Sequence, residues 1–255
     1  MRLITINQTN LEDEHICCAL GGDKKNIQRA QAKKDWLKER FQEGLVFKRF
    51  DERGKFFIEY MPIEKGWKPI IGQDYLVINC LWVAGKFKGS GFGRQLLDEC
   101  ISDATARQKK GIAVVTSTKK KPYLTEKSFF TKHGFIAVDT APPYFELLAL
   151  KLDPDAITPV FSEKTKTGQC ENKSGFTLIY SNQCPFTQEY IEGMSRVIKE
   201  KNLPHQVIRL TNYQEAQELG SPFGTCGIYF NGELKTHELM SDQKFEKFVD
   251  NLWTS

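Results

Sequence analysis

At 255 residues, with 40% hydrophobic and 27% charged side chains, the chain has the composition of an ordinary globular protein with room for two compact cores, not of a disordered one. The net charge of +4 arises from basic residues interleaved with acidic ones, which argues against a nucleic-acid-binding surface. No apolar run approaches the ~20 residues that span a bilayer, and Leu3–Ile6 is too short and too soon followed by Glu12, Asp13 and Glu14 to be a secretory signal, so the expected address is cytoplasmic, with no membrane partner.

In chain order the pattern predicts a strand over 3–6 and a helix over 26–42 whose Ile27, Ala30, Leu37 and Phe41 share one face. Strands over 45–50, 55–61 and 75–83 follow, then a helix over 92–108 carrying Leu96, Leu97, Cys100, Ile101 and Ala104 at helical spacing. A buried-type strand over 112–116, a helix over 125–132 and strands over 135–138 and 145–152 complete a mixed α/β unit with a mostly antiparallel sheet. Pro154, Pro159 and the run Ser162 to Gly168 mark residues 153–175 as a linker, giving domains at 1–152 and 176–255. Beyond it the pattern predicts strand 176–180, helix 185–200, strand 206–210, short helix 213–219, strands 227–230 and 233–237 joined by an Asn231-Gly232 hairpin turn, and helix 242–252.

Seven cysteines (Cys17, Cys18, Cys80, Cys100, Cys170, Cys184 and Cys226) show no CxxC or CxxH spacing, so no metal site is expected. The segment richest in chemistry is Leu81-Trp82-Val83 followed by Lys88-Gly89-Ser90-Gly91-Phe92-Gly93-Arg94, a strand passing through a glycine-dense turn into a helix. Amides at a helix N-terminus, with the helix dipole behind them, suit a pyrophosphate, and glycine lets the backbone approach it. The spacing is neither a Walker loop nor a dinucleotide GxGxxG. Lys119-Lys120-Lys121 reads either as a solvated loop face or as a contact for an anionic group.

This turn resembles the signature of the GNAT superfamily of N-acetyltransferases, and Phe129-Phe130-Thr131-Lys132-His133-Gly134-Phe135 is similar to the aromatic helix that follows it in that family. The resemblance covers about residues 1–152. It implies the GNAT acyl-CoA N-acyltransferase fold, acetyl-CoA as cosubstrate, and an acetyl group delivered to an amine, on a small molecule or a peptide. Leu81, Trp82 and Val83 would line the pantetheine arm, while Lys88, Gly89, Ser90, Gly91, Phe92, Gly93 and Arg94 would hold the pyrophosphate.

Two departures stand out: Lys88 replaces the usual Arg or Gln, and Phe130 stands where many members carry a tyrosine acid, with Tyr123 at the usual asparagine. Phenylalanine cannot donate a proton. Tyr123, Tyr144 or water is therefore left as proton donor to the departing thiolate, with packing as the alternative role for both tyrosines. Strand 75–83 carries no carboxylate, and Glu59 and Asp74 are base candidates by neighbourhood only. His15 and His133 read as solvated or structural.

Strand 176–180 followed by Cys184-Pro185-Phe186-Thr187 and a helix resembles the thioredoxin/glutaredoxin fold, with Thr187 in place of a second cysteine and Cys226 where that fold carries a proline. The resemblance makes Cys184 and Cys226 a possible redox pair, the alternative being a recognition module without redox chemistry. The two halves together resemble the YoaP-like group of bacterial acetyltransferases. A CoA-binding or thiol-binding protein without acyl transfer remains the competing function.

Overall fold

The computed structural model describes residues 1–16 and 19–253; Cys17 and Cys18 lie outside them. The chain folds as two compact units. The first comprises 1–66, 70–139 and 146–160, and the second comprises 67–69, 140–145 and 161–255.

The first unit begins with β1 (Leu3–Ile6) and α1 (Lys24–Arg40). Asp23 caps α1 by accepting from the Asn26 amide, and Lys38 and Arg40 complement the negative end of the helix. Then come β2 (Val46–Phe50), β3 (Phe56–Pro62), β4 (Ile70–Ile71), β5 (Tyr75–Val83), α2 (Phe92–Ala106), β6 (Gly111–Ser117), α3 (Lys127–Thr131), β7 (Ile136–Ala141), β8 (Phe145–Lys151) and, where the units change over, β9 (Val160–Phe161).

Seven strands form one sheet in the order β1-β2-β3-β5-β6-β8-β7. The pairs β1/β2, β2/β3 and β3/β5 are antiparallel, whereas β5 and β6 are parallel. One face of the sheet packs Ile58, Tyr60, Leu76, Ile78 and Val114 against Leu96, Leu97, Cys100 and Ala104 of α2. The helical spacing read for α2 is thus the face it buries.

The predicted face of α1 is buried only in part: Leu37 is enclosed. Ile27 is 58% exposed, and the stripe turned inward is Lys33, Trp36, Leu37 and Arg40, at i, i+3, i+4 and i+7. Lys33 is an ion-pair partner of Glu59 on β3, and both are buried. A charged side chain on a core face is tolerated when its partner is buried with it, which polarity alone does not reveal.

In the second unit, α4 (Glu163–Thr167), β10 (Phe176–Tyr180), α5 (Thr187–Glu200), β11 (His205–Arg209), α6 (Tyr213–Gln217), β12 (Cys226–Phe230), β13 (Glu233–Thr236) and α7 (Asp242–Trp253) follow in sequence. Its sheet runs β11-β10-β12-β13, with β10 parallel to β11 and antiparallel to β12. Every residue of β10 is buried, together with Ile191, Met194 and Ile198 of α5 and Phe245 and Val249 of α7. Asn231 and Gly232 both take positive φ (51° and 86°), the conformation a tight hairpin turn demands. The stretch read as a linker, 153–175, carries β9 and α4. Among the described residues no helix is long and apolar enough to cross a membrane.

Candidate functional site

Strand β5 sets the site. It pairs with β3 as far as Val83, but its ladder with β6 runs only from Tyr75↔Gly111 to Ile78↔Val114, although both strands continue. At that point the β3 register shifts between Glu59 (opposite Cys80) and Tyr60 (opposite Ile78), so Asn79 is the extra residue of a β-bulge. A bulge raises local twist and bends a strand away from its neighbour. Beyond it, the edge of β5 from Leu81 to Val83 borders a cleft of about 830 Å³.

The cleft is lined by Leu81, Trp82, Val83, Ala84 and Gly85. Lys88, Gly89, Gly91, Gly93 and Arg94 line it too, as do residues 120–126 with Ser128, Phe129 and Lys132. Thr125 Oγ1 donates to the Leu81 carbonyl at 2.8 Å, tying the 120–126 segment to the strand. Sequence reasoning placed Thr125 only at the start of the helix predicted over 125–132 and gave it no role; α3 begins at Lys127, and Thr125 precedes it.

The turn into α2 has the geometry its glycines permit. Gly89 and Gly91 hold φ of +80° and +85°, and a Cβ built on either meets nothing within 4 Å. They are glycines for their backbone conformation, and the space beside them stays open for a ligand. Gly91 is the N-cap of α2 without a side-chain cap, and no acidic residue occupies the first turn. The first intrahelical bond is Gln95 N to Gly91 O, which leaves the amides of Phe92, Gly93 and Arg94 without intrahelical acceptors.

Gly93 lies against Phe129, whose ring carbons sit 3.3 and 3.5 Å from the Cβ position. The side chains of Ser90 and Phe92 turn away from the cleft. Ser90 Oγ donates to the Phe87 carbonyl, and Phe92 packs in tilted and edge-on contacts with Phe50, Phe56 and Phe87, at centroid distances of 4.8, 5.5 and 6.0 Å. Only their backbone can face a ligand.

Five basic residues (Lys88, Arg94, Lys120, Lys121 and Lys132) line the cleft against one acid, Glu126, so it favours a ligand of several negative charges. Arg94 is held by Asp98, whose two oxygens lie 2.7 and 2.8 Å from Nε. Lys120 pairs with Glu126 at 2.6 Å, and that hydrogen bond holds the Glu126 carboxyl below the usual carboxylate range. Of the lysine run, Lys120 and Lys121 face the cleft while Lys119 is exposed outside it.

Tyr123 also lines the cleft, at φ +64°, a region a non-glycine residue occupies at a cost of order 1 kcal/mol. Tyr144 belongs to the second unit, where its hydroxyl lies 2.8 Å from His237 Nδ1 and 3.2 Å from Thr236 Oγ1. Phe130 is fully buried in the core. Glu59, 1% exposed, is bound by Lys33 at one oxygen and by Asn79 Nδ2 (3.1 Å) at the other. Asp74 sits at the opposite end of β5 from the glycine turn, its amide bonded to Glu64 Oε1 at 2.7 Å. His133 Nδ1 lies 2.7 Å from the Phe129 carbonyl.

Among known proteins, the family described as "Acetyltransferase (GNAT) domain" matches residues 54–137 and the family described as "YoaP-like" matches residues 204–247. An uncharacterized N-acetyltransferase YoaP of Bacillus subtilis (strain 168) is 42% identical over 252 residues, 99% of this chain and 100% of the relative. Solved structures that overlay on it include a GNAT-family acetyltransferase from Staphylococcus aureus Mu50, at 14% identity and TM-score 0.42 over 60% of this chain and 99% of that one. Another is the paia N-acetyltransferase from Thermoplasma acidophilum in complex with coenzyme A, at 16% identity and TM-score 0.40 over 59% and 99%. Family membership rests on the Bacillus relative, whose identity extends along the full length of both chains: the protein belongs to the YoaP-like N-acetyltransferases of the GNAT superfamily.

Proposed function

We propose that this acetyl-CoA-dependent acyltransferase, whose amine acceptor is unspecified, holds its cosubstrate in the cleft along β5. The observation that carries the reading is the Gly89–Arg94 turn, where glycine backbone, open space, helix-terminal amides and basic flanks converge on one anion-binding position. Acetyl-CoA, when bound, supplies the activated acyl group. The amides of Gly89 and Gly91–Arg94 bind the pyrophosphate, since those of Lys88 and Ser90 already donate to Gly85 and Phe87; Lys88 and Arg94 neutralise its charge, and the β5 edge at Leu81, Trp82 and Val83, beyond its ladder with β6, pairs with the amide-bearing arm as a strand would.

Tyr123 is the tyrosine that lines this cleft, so its hydroxyl is the proposed donor of a proton to the departing thiolate. Tyr144, engaged with His237, is the second candidate. Residues 1–152 are proposed as the catalytic domain. For the region 176–255 we propose a thioredoxin-like fold; the strand order β11-β10-β12-β13, with α5 entered directly from β10, supports it. An experimental structure with a different strand order there overturns that assignment.

The purified chain is incubated with acetyl-CoA and a panel of primary amines and amino-terminal peptides, and free thiol release is followed. Acceptor-dependent release supports the reading. Tight acetyl-CoA binding with no release over background for any acceptor instead favours a CoA-binding protein without acyl transfer.

A further inference from the structure

The second unit brings two cysteines to one end of its sheet. Cys226 opens β12 and is opposite Tyr180, the last residue of β10, in the antiparallel register. The chain leaving Tyr180 stays at that end: the Ser181 amide donates to the Thr225 carbonyl at 2.9 Å. It then folds back on itself, with Thr187 Oγ1 donating to the Ser181 carbonyl at 2.5 Å and to the Cys184 carbonyl at 2.8 Å. Cys184 is therefore held in a closed turn directly beyond the Tyr180–Cys226 pair. Ser221 Oγ fixes the other side by donating to the Cys226 carbonyl at 2.8 Å. Both residues are thiols in the structure, Cys184 partly exposed and Cys226 fully buried.

Two further observations agree. Burial first, and the charge of Cys184 second, push the Cys226 thiol well above its ordinary pKa. Asn182, 6% exposed and two residues before Cys184 in the same turn, has a buried Oδ1 with no hydrogen-bond partner in the protein. That oxygen is an acceptor suited to an N–H of a peptide-like thiol ligand.

We propose that Cys184 and Cys226 form a thiol–disulfide exchange site for low-molecular-weight disulfides. The Cys184 thiolate attacks one sulfur of the disulfide RSSR, forming a Cys184–SR bond and releasing RS⁻. Cys226 then attacks the Cys184 sulfur, the Cys184–SR bond breaks, and the second RS⁻ departs. The protons of the two cysteines end on the two released thiols, so the protein loses two electrons and two protons and RSSR becomes two RSH. Cys184 makes the first attack because it is the accessible thiol and precedes the positive end of α5, which favours a thiolate. Cys226 resolves because it is shielded from any external disulfide.

The test uses the full chain and glutathione disulfide in buffers of graded glutathione ratio. Trypsin places Cys184 in peptide 174–196 and Cys226 in peptide 210–235, so a bridge is read directly by mass spectrometry. The expected result is a 174–196/210–235 linked pair in the wild type, a stable single glutathione adduct on Cys184 in both Cys226→Ser and Cys226→Ala, and neither species in Cys184→Ser. Cys170, partly exposed in the same unit, is the internal control and stays reduced at the ratio of half-conversion. A wild-type adduct on Cys184 that is never resolved, a link to Cys170 instead, or no modification of Cys184 overturns the proposal. The wild-type result stands even where a buried substitution impairs folding, and it is independent of acetyl-CoA binding.

Discussion

Gly91 joins two requirements at one position: a φ of +85° and an empty space where its Cβ would be. A Val there carries a backbone cost of about 1–3 kcal/mol and covers the helix-terminal amides. Gly91→Val is therefore expected to weaken acetyl-CoA binding by at least about tenfold, the 1.4 kcal/mol that one charge-assisted hydrogen bond contributes. Calorimetric titration of a variant with unchanged circular dichroism checks this, and equal affinity in a folded variant removes the turn from the site. Tyr123 carries the next expectation. If its hydroxyl protonates the thiolate, activity falls at high pH as that proton is lost; Tyr123→Phe lowers kcat by about 10²-fold or more and abolishes the alkaline limb. A Tyr123→Phe enzyme with wild-type kcat and pH profile leaves Tyr144 or water as donor. The glycines were legible in the sequence because φ and ligand access leave a residue-type signature. Thr125 was not, since its hydrogen bond to Leu81 depends on a loop returning across 44 residues.

Elements were legible where burial follows polarity. Helix α2 and strands β5 and β10 lie almost where the spacing of apolar residues puts them. Helix α1 shows the limit of that signal: its position and Leu37 were legible, but the rest of the buried face was not, because Lys33 and Arg40 sit on it while Ile27 faces solvent. The reason lies on another element. Glu59 of β3 is buried with Lys33, Asn79 at the β5 bulge completes the carboxylate's hydrogen bonds, and the Lys33 ammonium lies 4.3 Å from the Trp36 ring. Removing one partner leaves the other as an uncompensated buried charge. Lys33→Met or Glu59→Leu alone is expected to cost about 3–5 kcal/mol, while the Lys33→Met/Glu59→Leu double variant costs clearly less than the sum. Urea unfolding of the four proteins measures this. Additive losses mean that the pair does not act as a unit, and single losses under about 1 kcal/mol mean that it is hydrated. Because the bulge sets where β5 leaves β6, the single variants are also expected to raise the KM for acetyl-CoA.

At the scale of the molecule, the sequence marks a break at 153–175 from its prolines and polar run, and a reading by composition can only cut the chain at single points. The compact unit that holds β10 to α7 is instead assembled from three separate stretches, taking in 67–69 and 140–145. Local pattern cannot report this, since 67–69 is a short stretch before β4 and 140–145 runs from the last residues of β7 to the first of β8. Their packing inside the unit is close. Gly224, at φ +78°, approaches the Trp67 backbone so nearly that a Cβ would lie 2.0 Å from its carbonyl oxygen. Lys68, buried, donates to the Phe223 carbonyl at 2.8 Å. His237, fully buried, is enclosed by the rings of Tyr144, Phe145 and Phe223 at 5.7, 5.2 and 4.5 Å. A fragment of residues 161–255 would retain its sheet and helices but expose Phe223, His237 and the face of Gly224. Losing the burial of two or three such side chains costs about 1.5–3 kcal/mol each, a large share of the roughly 5–15 kcal/mol that keeps a domain folded. The fragment is therefore expected to have a markedly lower urea midpoint than the corresponding transition of the full chain, and rapid amide exchange at Gly224–Cys226. Gly224→Ala in the full chain acts on the same approach, combining a strained φ with a blocked backbone, and is expected to destabilise by more than about 1 kcal/mol. A fragment as stable as the full chain, together with a neutral Gly224→Ala, shows that 67–69 and 140–145 contribute nothing to this unit's stability and that the single cut read from the sequence is the physical boundary.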